Sequence, residues 1–410
     1  MGMFYEEVRD RLLAYAQIGT QSARFSGSWP TTACQFDLAR LLQKELLDLG
    51  ASDVYLDEES CLVYARIPGT LAGKDAAPLG LIAHMDTAPD APGAPVKPWV
   101  LENYDGGDVV LNPEKGIVMK AAEYPSLSSY PGQDLVLTDG TTLLGGDDKA
   151  AIAALMTLAA YYCSHPEVSH CPVCLAFTPD EEVGGLARDL DLARFGAPCA
   201  YTLDGDHLGW YMDETFNAAG AHVKIRGKSV HTGTAKDILV NGVDIASGFM
   251  EKLPREEKPR YTEGTQGFFH MVSCQAVCEE ADLELIIRDF DAAAFEERKD
   301  LLRTITASLN EIWGEGTVTL TIYDQYRNMK EVLDSYPHLV EDLKAAIRAV
   351  GLAPVSQPFR GGTDGAALCF RGLPCPNLSA GYENAHSRFE YVPIQSMEKN
   401  VEILLHLCAR

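Results

Sequence analysis

Three short apolar runs, each ending in an acid or a histidine, constrain this chain more than any other feature. Residues 79–83 (LGLIA) lead into His84-Met85-Asp86. Residues 173–177 (VCLAF) lead into Thr178-Pro179-Asp180-Glu181-Glu182, and residues 199–203 lead into Asp204. A run of about five residues with no polar alternation suits a strand covered on both faces, as in parallel sheets layered with helices. Residues 150–163 are nearly all apolar and predict a buried helix between two of these strands. Strands alternating with helices predict an α/β fold, a central mixed sheet flanked by helices. The polar residues that end the strands would then line one sheet edge, where open α/β folds take their ligands.

The rest of the chain divides around that pattern. Residues 6–15 and 35–49 have helical apolar spacing, and the second closes at Leu49-Gly50, a helix stop signal. Residues 54–67 read as two short strands around Glu58-Glu59-Ser60. Residues 221–225, 267–277, 282–288 and 317–322 read instead as strands with partial alternation, and 241–252 and 292–313 as helices. A smaller α+β unit over 214–327 is therefore expected as an insertion between two parts of a larger domain, 1–213 and 328–410. After it, 331–350 and 393–407 read as helices. Residues 252–262 (KLPREEKPRYT) are charged and proline-bearing and read as an exposed loop.

Composition narrows the function. The 34 basic and 59 acidic residues leave a net charge of −25 and a pI near 4.7. A nucleic-acid binder needs a basic stripe, so that class is excluded, and anionic membranes are equally disfavoured. The longest apolar run, about 14 residues, falls short of the roughly 20 that span a bilayer. The start, Met1-Gly2-Met3-Phe4-Tyr5-Glu6, has neither the basic nor the apolar segment of a secretory signal, so a cytoplasmic protein is expected. The 11 cysteines form no framework. Cys171-x-x-Cys174 follows His170, but it has no second pair and lies in an apolar strand, which favours buried thiols over zinc or redox chemistry.

The chemistry-bearing residues are each ambiguous alone. His84 and Asp86 project on one side of an extended segment, so Asp86 is placed to fix the tautomer of a metal-binding His84, or the pair is plain loop polarity. Gly145-Gly146-Asp147-Asp148 opens the long helix. Its acids are either first-turn residues favoured by the helix dipole or, at Asp147, a bridge between two cations. Asp180-Glu181-Glu182 is either a solvated turn or a pair with split roles, one Glu binding metal and one moving a proton. Asp204 ends a further strand, and His386 lies in Glu383-Asn384-Ala385-His386. Together these supply the mixed nitrogen and oxygen donors of a two-zinc hydrolytic site. Arg226-Gly227-Lys228-Ser229 lacks the first glycine of a phosphate loop, since His222 stands there, and no G-x-S-x-G exists for a serine hydrolase.

The ordered set IAHMDTAPD (82–90), LTDGTTLLGGDDKA (137–150), AFTPDEEVGG (176–185), YTLDGD (201–206), FNAA (216–219), VHTGTAKDILVN (230–241), IIRDFD (286–291), RGGTDGAAL (360–368) and GLPCPN (372–377) resembles the co-catalytic zinc metallopeptidases of the aminoacylase and carboxypeptidase G type. Within them it is most similar to the tripeptide aminopeptidases. The resemblance implies two Zn2+ ions per subunit, replaceable by Co2+ or Mn2+. His84 and Asp204 would hold one, Glu182 and His386 the other, and Asp147 would bridge them. It implies Asp86 as the orienter of His84, Glu181 as general base and His231 as an oxyanion donor, supplied in dimeric members by the partner subunit. Asn241, Arg288 and Arg360 would contact substrate. The inserted unit becomes a lid and dimerisation domain, the substrate a short peptide and the assembly a homodimer.

Three departures from the family pattern bear on substrate preference: Thr232 for a proline after His231, Asp206-His207 where glycines are usual, and Ser387-Arg388-Phe389 after His386. Two alternatives remain. One is a related amidohydrolase, an N-acyl amino acid deacylase or desuccinylase with the same zinc core. The other is a metal-binding homologue without catalysis, against which the intact Glu181 argues.

Overall fold

The computed structural model describes residues 2–71 and 77–409; the outermost expected domain limits, 1 and 410, lie outside the described residues. The chain forms two compact units. One runs up to Asp213 and takes in Glu331–Gln357 and the chain from Thr363 onward; the other comprises Glu214–Lys330 and Pro358–Gly362.

In the first unit an eight-stranded mixed sheet has the order Ser52–Leu56, Val63–Ile67, Val173–Thr178, Leu79–His84, Ala200–Leu203, Asn377–Leu378, Trp210–Met212, Val355–Ser356. The α/β expectation holds. The three apolar runs are the adjacent parallel strands Val173–Thr178, Leu79–His84 and Ala200–Leu203, and every residue in them is buried. Their parallel register brings His84 opposite Thr178 and sets the residues that follow each strand along one edge.

Helix Gly146–Ser164 is apolar around most of its circumference because it lies inside the core, between the sheet strand Leu79–His84 and helices Tyr5–Ala16 and Ile394–Cys408. Gln35–Leu49 ends at Gly50 in the left-handed conformation, φ 82°, as its stop signal requires. The helix expected over 331–350 is two pieces, Lys330–Leu333 and Pro337–Ala349. Pro337 lacks the N–H that a continuous helix would need and opens the second piece instead. A three-stranded sheet (Val392–Pro393, Leu135–Leu137, Trp99–Leu101) and a hairpin (Val109–Asn112, Ile117–Met119) were not anticipated. Cys171 and Cys174 are buried thiols, and the His170 ring stacks on Tyr162 at 3.8 Å between centroids.

The second unit is an antiparallel sheet ordered Phe268–Ala276, Glu280–Asp289, Asn217–Arg226, Val318–Tyr326. Helices Gly242–Glu251 and Ala292–Trp313 pack on it. The alternation in Glu280–Asp289 is explained by that packing. Leu283, Leu285 and Ile287 enter the core while Glu284 stays exposed.

Candidate metal centre

Five stretches of chain in the first unit deliver the site. His84 is the last residue of its strand, and Asp204 follows immediately on Leu203. Asp147 sits at the mouth of helix Gly146–Ser164, where its backbone (φ −77°, ψ 100°) is not helical. The turn is made possible by Gly145, φ 79°, so the acids here are not ordinary first-turn residues. Glu181 and Glu182 occupy a short 3-10 turn after Val173–Thr178. His386 comes from the loop after Asn377–Leu378, in the left-handed conformation at φ 61°.

These side chains converge. Donor atoms of His84, Asp147 and Asp204 lie within 4.8 Å of one another, and so do those of Asp147, Glu182 and His386. Asp147 belongs to both groups, and its two oxygens divide between them. Oδ1 is 3.0 Å from His84 Nε2, and Oδ2 is 3.3 Å from His386 Nε2. Glu182 Oε2 is 2.8 Å from the same His386 nitrogen.

The surrounding contacts hold this arrangement in place. His84 Nδ1 is 3.1 Å from the Asp86 carbonyl and 3.4 Å from its Oδ1. The Asp86 carboxylate also accepts the backbone N–H groups of Glu181 (2.9 Å) and Glu182 (3.2 Å), so one buried acid orders both parts of the site. Tyr382 donates its hydroxyl to Asp204 Oδ1 at 2.7 Å. Asp148 Oδ2 accepts the His84 N–H at 3.1 Å. Buried Glu390 accepts three N–H groups, from Leu144, Gly145 and Asp147, each at 2.8 Å, and so fixes the turn that presents Asp147. Glu390, Tyr382 and Asp148 had no assigned role in the sequence. A single acid in the segment after the last histidine carries no signal that it caps a loop some 240 residues earlier.

Electrostatically the centre is short of positive charge. Burial, and then Asp204, hold the Glu181 carboxyl well above its ordinary range. Burial and the neighbouring Asp147 push Glu182 up to about 8 and raise Asp204 as well. Hydrogen bonds to Asp147 and Glu182 push His386 up to about 11. Among the carboxylates here, only at Asp147 is the effect of burial outweighed, by the hydrogen bonds of His386 and His84, so that it stays below the usual carboxylate range. Several buried carboxylates sharing two imidazoles make a site that favours cations.

The other expected residues lie in the second unit. His231 is exposed; its Nδ1 accepts the Gly233 N–H at 3.1 Å and caps the short turn Thr232–Thr234. Asn241 caps helix Gly242–Glu251 through the Val243 N–H. Arg288 donates to the carbonyls of Ile287 (2.9 Å) and Ala219 (3.2 Å). Arg360 donates to the carbonyls of Gly264 (2.7 Å) and Gln266 (3.0 Å) and to Thr262 Oγ1 (2.9 Å). Of the two departures that follow the strand Ala200–Leu203, His207 Nδ1 pairs with Glu383 at 2.7 Å, and Tyr130 donates its hydroxyl to the same Glu383 oxygen. Asp206 Oδ2 lies 4.0 Å from His207 Nε2. Among the described residues no helix is long and apolar enough to cross a membrane.

Residues 213–317 match the family model described as a peptidase dimerisation domain. The chain is 46% identical over 401 residues to peptidase T of Caldanaerobacter subterraneus subsp. tengcongensis, covering 98% of each. It is also 46% identical to peptidase T of Geobacillus kaustophilus, covering 98% of this chain and 97% of that one. Among solved structures it superposes on an aminopeptidase of Bacillus cereus with a TM-score of 0.78 at 22% identity, covering 99% of this chain and 98% of that one. A tripeptidase of Staphylococcus aureus gives 0.76 at 22% identity with the same coverage.

Proposed function

The chain belongs to the peptidase T family, and on that premise we propose that it is a two-zinc aminopeptidase that removes the first residue of short peptides, tripeptides before others. The observation that carries this is the pair of donor groups that share Asp147. The residues fit the ions. Two imidazoles and three carboxylates are the donor set zinc takes, and Glu182 Oε1 is buried with no hydrogen-bond partner. His84 and Asp204 would hold one ion, Glu182 and His386 the other, and Asp147 both.

Bound there, the cations would supply Lewis acidity toward the peptide carbonyl and a water of lowered pKa. Co2+ or Mn2+ would substitute, since both accept this donor set. Glu181, not needed as a ligand, takes the proton of the attacking water on a carboxylate oxygen and passes it to the nitrogen of the leaving amine. Burial raises its proton affinity and the bound cations would lower it, two opposed effects on a group that must both accept and release a proton. Asp86 keeps Glu181 in place through its backbone N–H and orients His84. His231, as oxyanion donor, and Asn241, Arg288 and Arg360, as substrate contacts, complete the proposal, as do a homodimer formed through the second unit and a cytoplasmic setting.

The deciding experiment is hydrolysis of di-, tri- and tetrapeptides and N-acetyl amino acids by the zinc-loaded protein, beside Glu181→Gln. A tripeptide optimum is expected, with the variant keeping its zinc and losing at least 100-fold in kcat, the lower range for a positioned acid or base. Cleavage of the N-acetyl amino acids alone would replace this reading with a deacylase, and an undiminished Glu181→Gln would remove the general base.

A further inference from the structure

The two histidines of the centre are supported very differently. His84 is 3% exposed, and its far nitrogen is backed by Asp86. His386 is 44% exposed and stands on a loop residue with φ 61°. Nothing about its burial fixes its ring. A metal-binding imidazole needs an acceptor at its second nitrogen to set its tautomer and raise its basicity.

We propose that Asp90, clamped by Arg24, is the carboxylate that positions His386. Asp90 Oδ2 is 3.8 Å from His386 Nδ1, on the opposite side of the ring from the Nε2 that faces Asp147 and Glu182. Asp90 lies four residues after Asp86, so one segment after the strand Leu79–His84 would back both histidines. Its carboxylate does not hang free. Arg24 Nη2 donates to both of its oxygens, at 3.1 and 3.0 Å.

The segment carrying Arg24 is itself tied down. Gln21 Nε2 donates to the carbonyls of Ala88 (3.0 Å) and Ala91 (2.6 Å), and the Ser22 N–H to Thr87 at 3.1 Å. The Ala23 N–H reaches Thr31 Oγ1, and Thr31 donates its own N–H to Asp180, the residue before Glu181-Glu182. The clamp on Asp90 and the turn carrying Glu182 therefore share one frame. Asp90 touches no reacting atom in this scheme; it is a positioning residue, acting through His386.

The inference rests on the dinuclear reading, and its test separates the two. Zn2+ and Co2+ are titrated into the full chain against a competing chelator, with Co2+ absorption followed in parallel. The wild type is expected to hold two ions. Asp90→Ala is expected to weaken one of them by about 10- to 100-fold and leave the other unchanged. Asp90→Asn, which keeps an acceptor oxygen facing Nδ1, is expected to recover most of that loss, and Arg24→Gln to weaken the same ion by less.

In the Asp90→Ala, His386→Ala double variant the loss is expected not to exceed that of His386→Ala alone. Asp90 is 38% exposed, so folding is expected to survive the change. Should Asp90→Ala fail to fold, Asp90→Asn and Arg24→Gln read the same titration. Both ions held as tightly as in the wild type, both weakened equally, or losses that add in the double variant would each overturn the role of Asp90. A wild type that holds fewer than two ions would overturn the dinuclear reading, and this inference with it.

Discussion

Asp147 shows how one side chain can set the pH response of the whole centre. It stays ionised because His84 and His386 both point at it, whereas Glu182 and His386, pushed up to about 8 and about 11, each hold a proton at neutral pH before metal arrives. Both must lose that proton to become ligands. Metal uptake on the His386 side therefore releases protons, and the affinity falls as pH drops. The apparent Zn2+ affinity is expected to rise between about 10- and 100-fold per pH unit from pH 6 to pH 8. Chelator competition at fixed zinc measures it, and proton release in weak buffer counts the protons. A flat profile would mean that these two groups are not ligands.

Glu390 makes a second residue-scale case, since three buried N–H groups depend on it. Glu390→Ala leaves them without an acceptor and is expected to cost at least about 3 kcal/mol, at about 1–3 per orphaned donor, read as a lower urea midpoint. Glu390→Gln keeps one acceptor and is expected to lose less.

At the scale of elements, the same chemical change is expected to have opposite consequences in two strands. A methyl group added at Gly80, in the central strand Leu79–His84, meets the Phe195 ring at 2.6 Å and Ala200 Cβ at 2.7 Å. Phe195 is buried and Ala200 belongs to the neighbouring strand, so neither gives way. Gly80→Ala is expected to destabilise by about 1–3 kcal/mol. At Gly220, in Asn217–Arg226, the atoms nearest the added methyl all belong to Tyr323, which is 53% exposed and able to swing. Gly220→Ala is expected to be neutral or to stabilise by up to about 1 kcal/mol, because the unfolded chain loses freedom. Denaturant midpoints of the two variants decide it.

The same contrast explains what the sequence disclosed. Strands such as Val173–Thr178 were legible because burial on both faces leaves only apolar residues. Glu280–Asp289 was legible because burial on one face leaves alternation. Trp99–Leu101 and Leu135–Leu137, at three residues each, are too short to show either pattern, and their partners are distant in sequence. His84, Asp147, Glu182 and Asp204 could be singled out because each ends or follows a legible strand or opens a legible helix, whereas His386, in a loop after the two-residue strand Asn377–Leu378, came only from the family resemblance. Glu390 and Asp90 escaped because their work is defined only by what the fold brings beside them.

At the scale of the molecule, two separate cores imply two separate stabilities. Leu42, Leu81, Leu155, Leu175 and Leu404 belong to one core of the first unit, and Val223, Phe249, Leu285 and Leu302 to a core of the second. A chain of this kind does not follow two-state bookkeeping as a whole, because each core can melt on its own. The five candidate ligands all lie in the first unit. An ion that binds only a folded unit stabilises that unit alone, by about 2.7 kcal/mol when free metal is 100 times its dissociation constant. Calorimetry of the zinc-loaded protein is therefore expected to resolve two transitions, of which excess chelator lowers one and leaves the other in place. The unmoved transition is assigned to the second unit by a substitution in its core. Phe249→Ala, fully buried there, is expected to lower it by the 3–5 kcal/mol typical of such a truncation and to spare the metal-sensitive one. A single transition shifted as a whole by chelator would show that the two cores unfold together, and the site would then be stabilising residues far outside its own unit.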